Sequence, residues 1–309
     1  MEWLLLAFLI ALYTLQSLFT KLYTDKYPGN PDSASNVLTV VSGFSVAVIT
    51  LVFFTKFNFD FNIYCLLIGL LNAFALYGYN YAIVKASQSG PYSILMMFSL
   101  SGGIIIPIIV ALICGWDSWA SIGAAVVNIV AIITIITSVY LVSSKEERGE
   151  SKGTVSAPFI ITCFLLSICN GLYGVFLTLQ QRSAPAGGEA NRDEMVIATF
   201  FFAALISFIS GLIKEGGAFF RSFRQNKISA LYLALTSLVF ALAINLIVII
   251  IPLIPTTILY TLDNSLVLIM SVLISCIFFK ERLTRKNIIG IVCMVVALVG
   301  MNILPPLFT

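Results

Sequence analysis

Histidine is absent from this 309-residue sequence, and only 10% of its residues are charged. Soluble domains carry about 25% charged residues, so the composition excludes an ordinary soluble protein. The six cysteines form no Cys-x-x-Cys pair, and no histidine is present to complete a zinc site with them. We therefore expect no metal or other cofactor. The sequence also lacks a phosphate-binding glycine loop with a lysine, which argues against ATP as an energy source.

Apolar residues, in contrast, make up 60% of the chain, and the mean hydropathy is +1.04. A helix needs roughly 20 apolar residues to cross a bilayer. Ten runs reach about that length: Glu2–Lys21, Asn36–Phe54, Asn62–Val84, Pro91–Cys114, Trp119–Val142, Ala157–Gln180, Met195–Ile213, Ile228–Ile250, Pro255–Phe279 and Asn287–Leu304. The sequence thus predicts an all-α membrane protein with ten transmembrane helices. Its expected surroundings are a lipid bilayer, and nucleic acid is not an expected partner.

The charged connection 143–156 divides these runs into two sets of five, in residues 1–142 and 157–309. A shift of 165 residues places Asn80 on Asn245 and superposes runs three and four on runs eight and nine. Because five spans per half is an odd number, the second half must enter the membrane from the opposite side. The predicted architecture is therefore a five-plus-five inverted repeat, whose halves can exchange conformations and open a central site to each side in turn.

Lysine and arginine are distributed unevenly between the two sides of this arrangement. The first, third, fifth, seventh and ninth connections together hold 14 of the 17 basic residues. The positive-inside rule assigns that side to the cytoplasm. We therefore expect a multi-pass protein of the cell membrane with both termini extracytoplasmic.

Asp263 is the one acidic residue well inside an apolar run, eight residues after Pro255. An ionisable group at such a depth is costly unless it faces a cavity or a partner, so it indicates a functional position. Three interpretations are open. Asp263 is a counter-ion for a cationic or zwitterionic substrate, a carrier for a coupling proton, or a structural acid that bonds to Asn245 or Asn264.

Other polar and aromatic residues share helix faces at spacings of three and four. A shift of 157 residues also places Tyr13 on Asn170 and Gln16 on Tyr173, in the first and sixth runs. Such residues either line a cavity and bind substrate, or simply pack and tie helices together. Including the acid, the predicted substrate-binding residues are Tyr13, Gln16, Tyr77, Asn80, Asn170, Tyr173, Asn245, Tyr260, Asp263 and Asn264.

Near its end the chain has an apolar run, then the segment Glu281-Arg282-Leu283-Thr284, and then a run containing Gly290 and Gly300. With the five-plus-five layout, this ending resembles the ten-helix, EamA-like branch of the drug/metabolite transporter superfamily. The first half departs from the pattern at 115–118, and members are usually described with cytoplasmic termini. The resemblance implies a central cavity lined by helices one, three, four, six, eight and nine, without indicating a particular substrate.

These features predict a secondary active transporter, not an enzyme, that moves a small polar metabolite by alternating access. An amino acid or a related zwitterion or amine is the expected substrate, because no lysine or arginine lies as deep as Asp263. One alternative is an exchanger of phosphorylated or nucleotide-linked metabolites, which would use Lys21 or Lys85. A channel or scramblase is a second alternative. A membrane-embedded enzyme is a third, although one deep acid in a chain without histidine offers little catalytic chemistry.

Overall fold

The computed structural model describes residues 2–58, 62–114, 122–143, 156–250, 253–254, 256–281 and 283–304. Within these ranges the chain is helical and contains no strand, so the all-α prediction is confirmed. The long helices are α1 (Glu2–Lys26), α2 (Pro31–Ile49), α3 (Ile63–Ser89), α4 (Tyr92–Ile113), α5 (Ile122–Ser143), α6 (Ala157–Arg182), α7 (Arg192–Glu215), α8 (Lys227–Ile250), α9 (Thr256–Phe278) and α10 (Arg285–Ile303). A π-helical segment, Thr50–Phe54, extends α2, and a short helix, Phe219–Ser222, follows α7.

Each long helix coincides with a predicted apolar run, and seven are long and apolar enough to cross a membrane. These are α1 to α4 and α6 to α8. The outside of the bundle is also apolar, since Leu4 and Ile213 are 74% and 80% exposed. Polar residues such as Thr39 and Asn72 are instead fully buried. This inside-out distribution is that of a multi-pass membrane protein.

Polar residues fix where several of the helices begin. The Asn30 side chain accepts a hydrogen bond from the Ser33 amide at 2.7 Å, immediately before Pro31 opens α2. The Thr284 hydroxyl likewise accepts from the Asn287 amide at 3.2 Å at the start of α10. Such caps satisfy amide groups that have no partner within a helix, and they define the ends of the apolar runs.

Helices from the two halves of the chain pack against one another. α1 packs on α8 and α9, α2 on α7 and α8, α3 on α6 and α7, α4 on α6, and α5 on α10. Segments 1–142 and 157–309 are therefore interleaved in one bundle. The predicted connection between them, 143–156, lies mostly outside the described residues.

The contact between α4 and α6 is unusually close, because glycines face the opposite backbone. A Cβ atom added to Gly102 would lie 2.1 Å from the carbonyl oxygen of Ser167, and one added to Gly171 would lie 2.6 Å from that of Gly102. The Ser167 hydroxyl in turn donates a hydrogen bond to the Phe98 carbonyl. Small residues permit this approach in membrane helices. The backbones of α4 and α6 are thereby brought into close contact.

Candidate functional site

A cavity of about 190 Å³ lies inside the bundle. Its wall is formed by α1, α3, α4, α6, α7, α8 and α9, which include the six helices that the family resemblance implies. The wall begins near the middle of α1 and α9 and extends to Gln181 and Arg192, where α6 ends and α7 begins. The cavity therefore reaches toward the end of the bundle that holds the α6–α7 connection.

Asp263 lies in this wall and is 8% exposed. Its Oδ1 atom is buried and has no hydrogen-bond partner among the described residues. Asn245, one of its predicted structural partners, instead accepts from the Thr50 hydroxyl at 3.1 Å and donates to the Ala241 carbonyl at 2.8 Å. A buried carboxylate oxygen without a partner is costly, and it provides an acceptor for a cation or for a proton.

The structure brings six of the ten predicted site residues together around the cavity: Tyr13, Gln16, Asn170, Tyr173, Asp263 and Asn264. Of these, Asn170 also ties two helices, because its side-chain amide donates to the Ser99 carbonyl at 2.7 Å. Ser99 is itself part of the wall. The side chain of Asn170 thus takes part in both the cavity wall and the α4–α6 contact.

Three predicted residues lie outside the wall. The Tyr77 and Ser210 hydroxyl groups are 2.9 Å apart and link α3 to α7. Asn245 links α8 to the end of α2 through Thr50, and Asn80 is buried away from the cavity. For Tyr77 and Asn245 the contacts are those of helix ties. The side chain of Tyr260 lies outside the described residues.

Sequence reasoning did not select Arg192, Gln181 or Tyr79, although all three line the cavity. Arg192 follows a polar connection and is the first residue of α7, which is typical of a solvent-facing helix start. Gln181 is the next-to-last residue of α6. The sequence feature that could have indicated Arg192 and Gln181 is the position of two polar side chains on either side of a short connection.

The opposite end of the bundle is held together by polar contacts. The Glu281 carboxylate, after α9, accepts from the backbone amides of Tyr92 and Ser93 at 2.5 and 3.2 Å, at the start of α4. Lys21 of α1 donates to the carbonyl of Ser87, at the end of α3. These contacts join four helices at the end of the bundle opposite the α6–α7 connection, and none of the residues involved lines the cavity.

No protein-family model matches this chain, and no curated protein matches it in sequence. Among 21 matching chains of solved structures, one described only as "Crystal structure of protein" is 12% identical. That similarity covers 98% of this chain and 96% of the other, with a TM-score of 0.53. At this level of identity the similarity concerns the fold alone.

Proposed function

We propose that this protein is a secondary active transporter that moves an amino acid, or a related zwitterion or amine, by alternating access. The observation that carries the proposal is the Asp263 carboxylate, which is buried in the wall of a central cavity and has one oxygen without a hydrogen-bond partner among the described residues. A carboxylate so placed favours an ammonium ligand, and it is also able to carry a coupling proton.

The proposal includes ten transmembrane helices in a five-plus-five inverted repeat, and the packing supports this arrangement. If helix n corresponds to helix n+5, the α1–α8 contact corresponds to α6–α3, and the α2–α8 contact to α7–α3. All four of these contacts are present. The α2–α7 and α5–α10 contacts correspond to themselves, and both are also present. Such symmetry is expected when two halves are related by an axis in the membrane plane.

Alternating access requires one end of the bundle to close while the other opens. The end closed by Glu281 and Lys21 is the lysine-rich and arginine-rich side that we assign to the cytoplasm. The cavity extends toward the other side, so we assign this conformation as outward-facing. Both termini are then extracytoplasmic.

An exchanger of phosphorylated or nucleotide-linked metabolites is the second candidate, and Arg192 is the observation that favours it. This side chain puts a positive charge in the wall, which an anionic substrate would need. Asp263 in the same wall would repel a phosphate that came close to it, so the zwitterion or amine remains the first proposal.

The proposal is tested by thermal unfolding of purified protein with millimolar amino acids, amines or phosphorylated metabolites. A ligand that binds only the folded form at 100 times its Kd stabilises it by about 2.7 kcal/mol. We expect an amino acid or amine to stabilise the wild type but not Asp263→Asn. Asp32→Asn is the matched control, because Asp32 does not line the cavity and pairs with Lys214 at 3.4 Å.

Uptake into liposomes then tests transport itself. We expect saturable uptake of the stabilising ligand, and its dependence on a pH gradient tests whether a proton is the coupling ion. Stabilisation by phosphorylated compounds that is equal in the wild type and Asp263→Asn would favour the exchanger. Flux that neither saturates nor shows exchange would identify a channel or scramblase.

A further inference from the structure

We infer that the cavity recognises the two ends of a neutral amino acid separately, with Asp263 binding the ammonium group and Arg192 binding the carboxylate. This inference rests on the proposed transport function and goes further, because it assigns a role to Arg192 and separates amino acids from simple amines. It depends on the two opposite charges that line the same cavity.

The inner end of the site is formed by Asp263 and Asn264. Asp263 lines the cavity and is almost fully buried, and its Oδ1 atom has no hydrogen-bond partner among the described residues. Hydrogen bonds between an ammonium group and a carboxylate are short and about twice as strong as neutral ones. A ligand with a primary ammonium group would therefore satisfy a group that the fold leaves unsatisfied.

The outer end of the site is formed by Arg192 and Gln181. Arg192 already has an interaction within the protein. A guanidinium group has five N–H donors, and the buried Nε–H of Arg192 has no hydrogen-bond partner among the described residues. Its planar fork also matches the geometry of a carboxylate, which a lysine would not reproduce.

The spacing of the two charges agrees with a ligand of this kind. Because successive helices run in opposite directions, α7 and α9 begin at the same end of the bundle. Arg192 is the first residue of α7, whereas Asp263 comes seven residues after Thr256, the first residue of α9. If α7 and α9 begin at the same depth, a rise of 1.5 Å per residue places Asp263 about 10 Å deeper along the helix axis than Arg192. The long arginine side chain and a bound amino acid together can span that distance.

The other residues of the wall indicate which kind of side chain the ligand carries. Apolar side chains from several helices face the cavity, among them Leu76, Met96, Leu100, Phe240, Ile244 and Val267. Most of the cavity surface is apolar, although Gln16 and Asn170 also line it, so a charged ligand side chain would lose more hydration than this wall restores. The inferred substrate is therefore an amino acid with an apolar side chain.

Three related probes test the inference. They are leucine, 3-methylbutylamine, which is leucine without the carboxylate, and 4-methylpentanoate, which is leucine without the ammonium group. Their Kd values are measured by calorimetry for wild type, Arg192→Gln, Arg192→Lys and Asp263→Asn. Arg182→Gln is the matched control, because Arg182 is adjacent to Gln181 but does not line the cavity. Unfolding without ligand shows whether each variant is folded.

We expect Arg192→Gln to weaken leucine binding about 10- to 100-fold and to leave the amine unchanged, since a hydrogen bond to a charged group is lost. Arg192→Lys should restore only part of the leucine affinity, and Asp263→Asn should abolish the binding of both leucine and the amine. The inference is overturned if Arg192→Gln weakens the amine as much as leucine, or weakens neither. In those cases Asp263-dependent binding still supports the transport proposal. Failure of every probe to bind the wild type overturns the inference, whereas the transport proposal is decided by the wider panel of amino acids and amines.

Discussion

Gly102→Ala is expected to separate α4 from α6 and thereby disturb the cavity wall. The new Cβ atom would lie 2.1 Å from the carbonyl oxygen of Ser167 and 2.5 Å from its Cα atom. Both atoms belong to the backbone, so no side-chain rotation relieves the clash. The helices must move apart, and the hydrogen bond from Asn170 to the Ser99 carbonyl, now 2.7 Å, lengthens.

Three contributions determine how much Gly102→Ala changes the free energy of unfolding. Inserting a methyl group into a well-packed interface costs about 1–3 kcal/mol. Weakening an interhelical hydrogen bond in a membrane protein costs about 0.6 to 1.7 kcal/mol, while replacing glycine by alanine within a helix gains about 1 kcal/mol. The second and third contributions nearly cancel. We therefore expect Gly102→Ala to lower the free energy of unfolding by about 1–3 kcal/mol.

The assay is reversible unfolding in detergent micelles, with Gly217→Ala as the matched control. A Cβ atom added to Gly217 would meet no atom within 4 Å, so this variant makes the same chemical change without the clash. Because Ser99 and Asn170 also line the cavity, Gly102→Ala should weaken binding of any ligand found for the wild type. Equal unfolding free energies for the two variants would refute the close approach of α4 and α6.

Two further predictions concern contacts away from the cavity. Asn245→Ala should lower the unfolding free energy by about 1 kcal/mol, because the link to Thr50 is lost, and leave ligand Kd unchanged in calorimetry. A large rise in Kd would instead place Asn245 in the binding site. Glu281→Gln should destabilise the protein by about 1 kcal/mol, measured by the same unfolding assay, because the helix start at Tyr92 loses a favourable negative charge. Unchanged stability would show that this carboxylate does not hold α4.

The positions of the helices could be predicted from the sequence because the bilayer imposes a simple requirement. A span needs about 20 apolar residues with its backbone bonded internally. The long helices coincide with the apolar runs, and seven of them meet this condition among the described residues. Asp263 was predictable for a related reason. A deep charge is too costly to place at random, so its position in the cavity wall follows from its depth.

The asparagines could not be assigned in the same way. Asn170 faces the cavity and Asn245 ties two helices, yet both lie inside apolar runs. An amide satisfies its hydrogen bonds equally well with a neighbouring helix or with a ligand, so depth does not distinguish the two roles. Arg192 was missed for another reason. Its place in the wall depends on how the α6–α7 connection returns to the bundle, which apolar periodicity does not encode.

The proposed repeat also gives a physical reason for the location of the cavity. The shift of 165 residues takes Ser99 to Asn264 and Gly102 to Val267, and the shift of 157 takes Tyr13 to Asn170. In the α4–α6 pair, Asn170 bonds to Ser99 and Gly102 meets the opposite backbone. In the equivalent α9–α1 pair, Asn264, Val267 and Tyr13 all line the cavity. A valine does not allow as close a backbone approach as a glycine, so the proposed repeat would leave space between α9 and α1 where Asp263 lines the cavity.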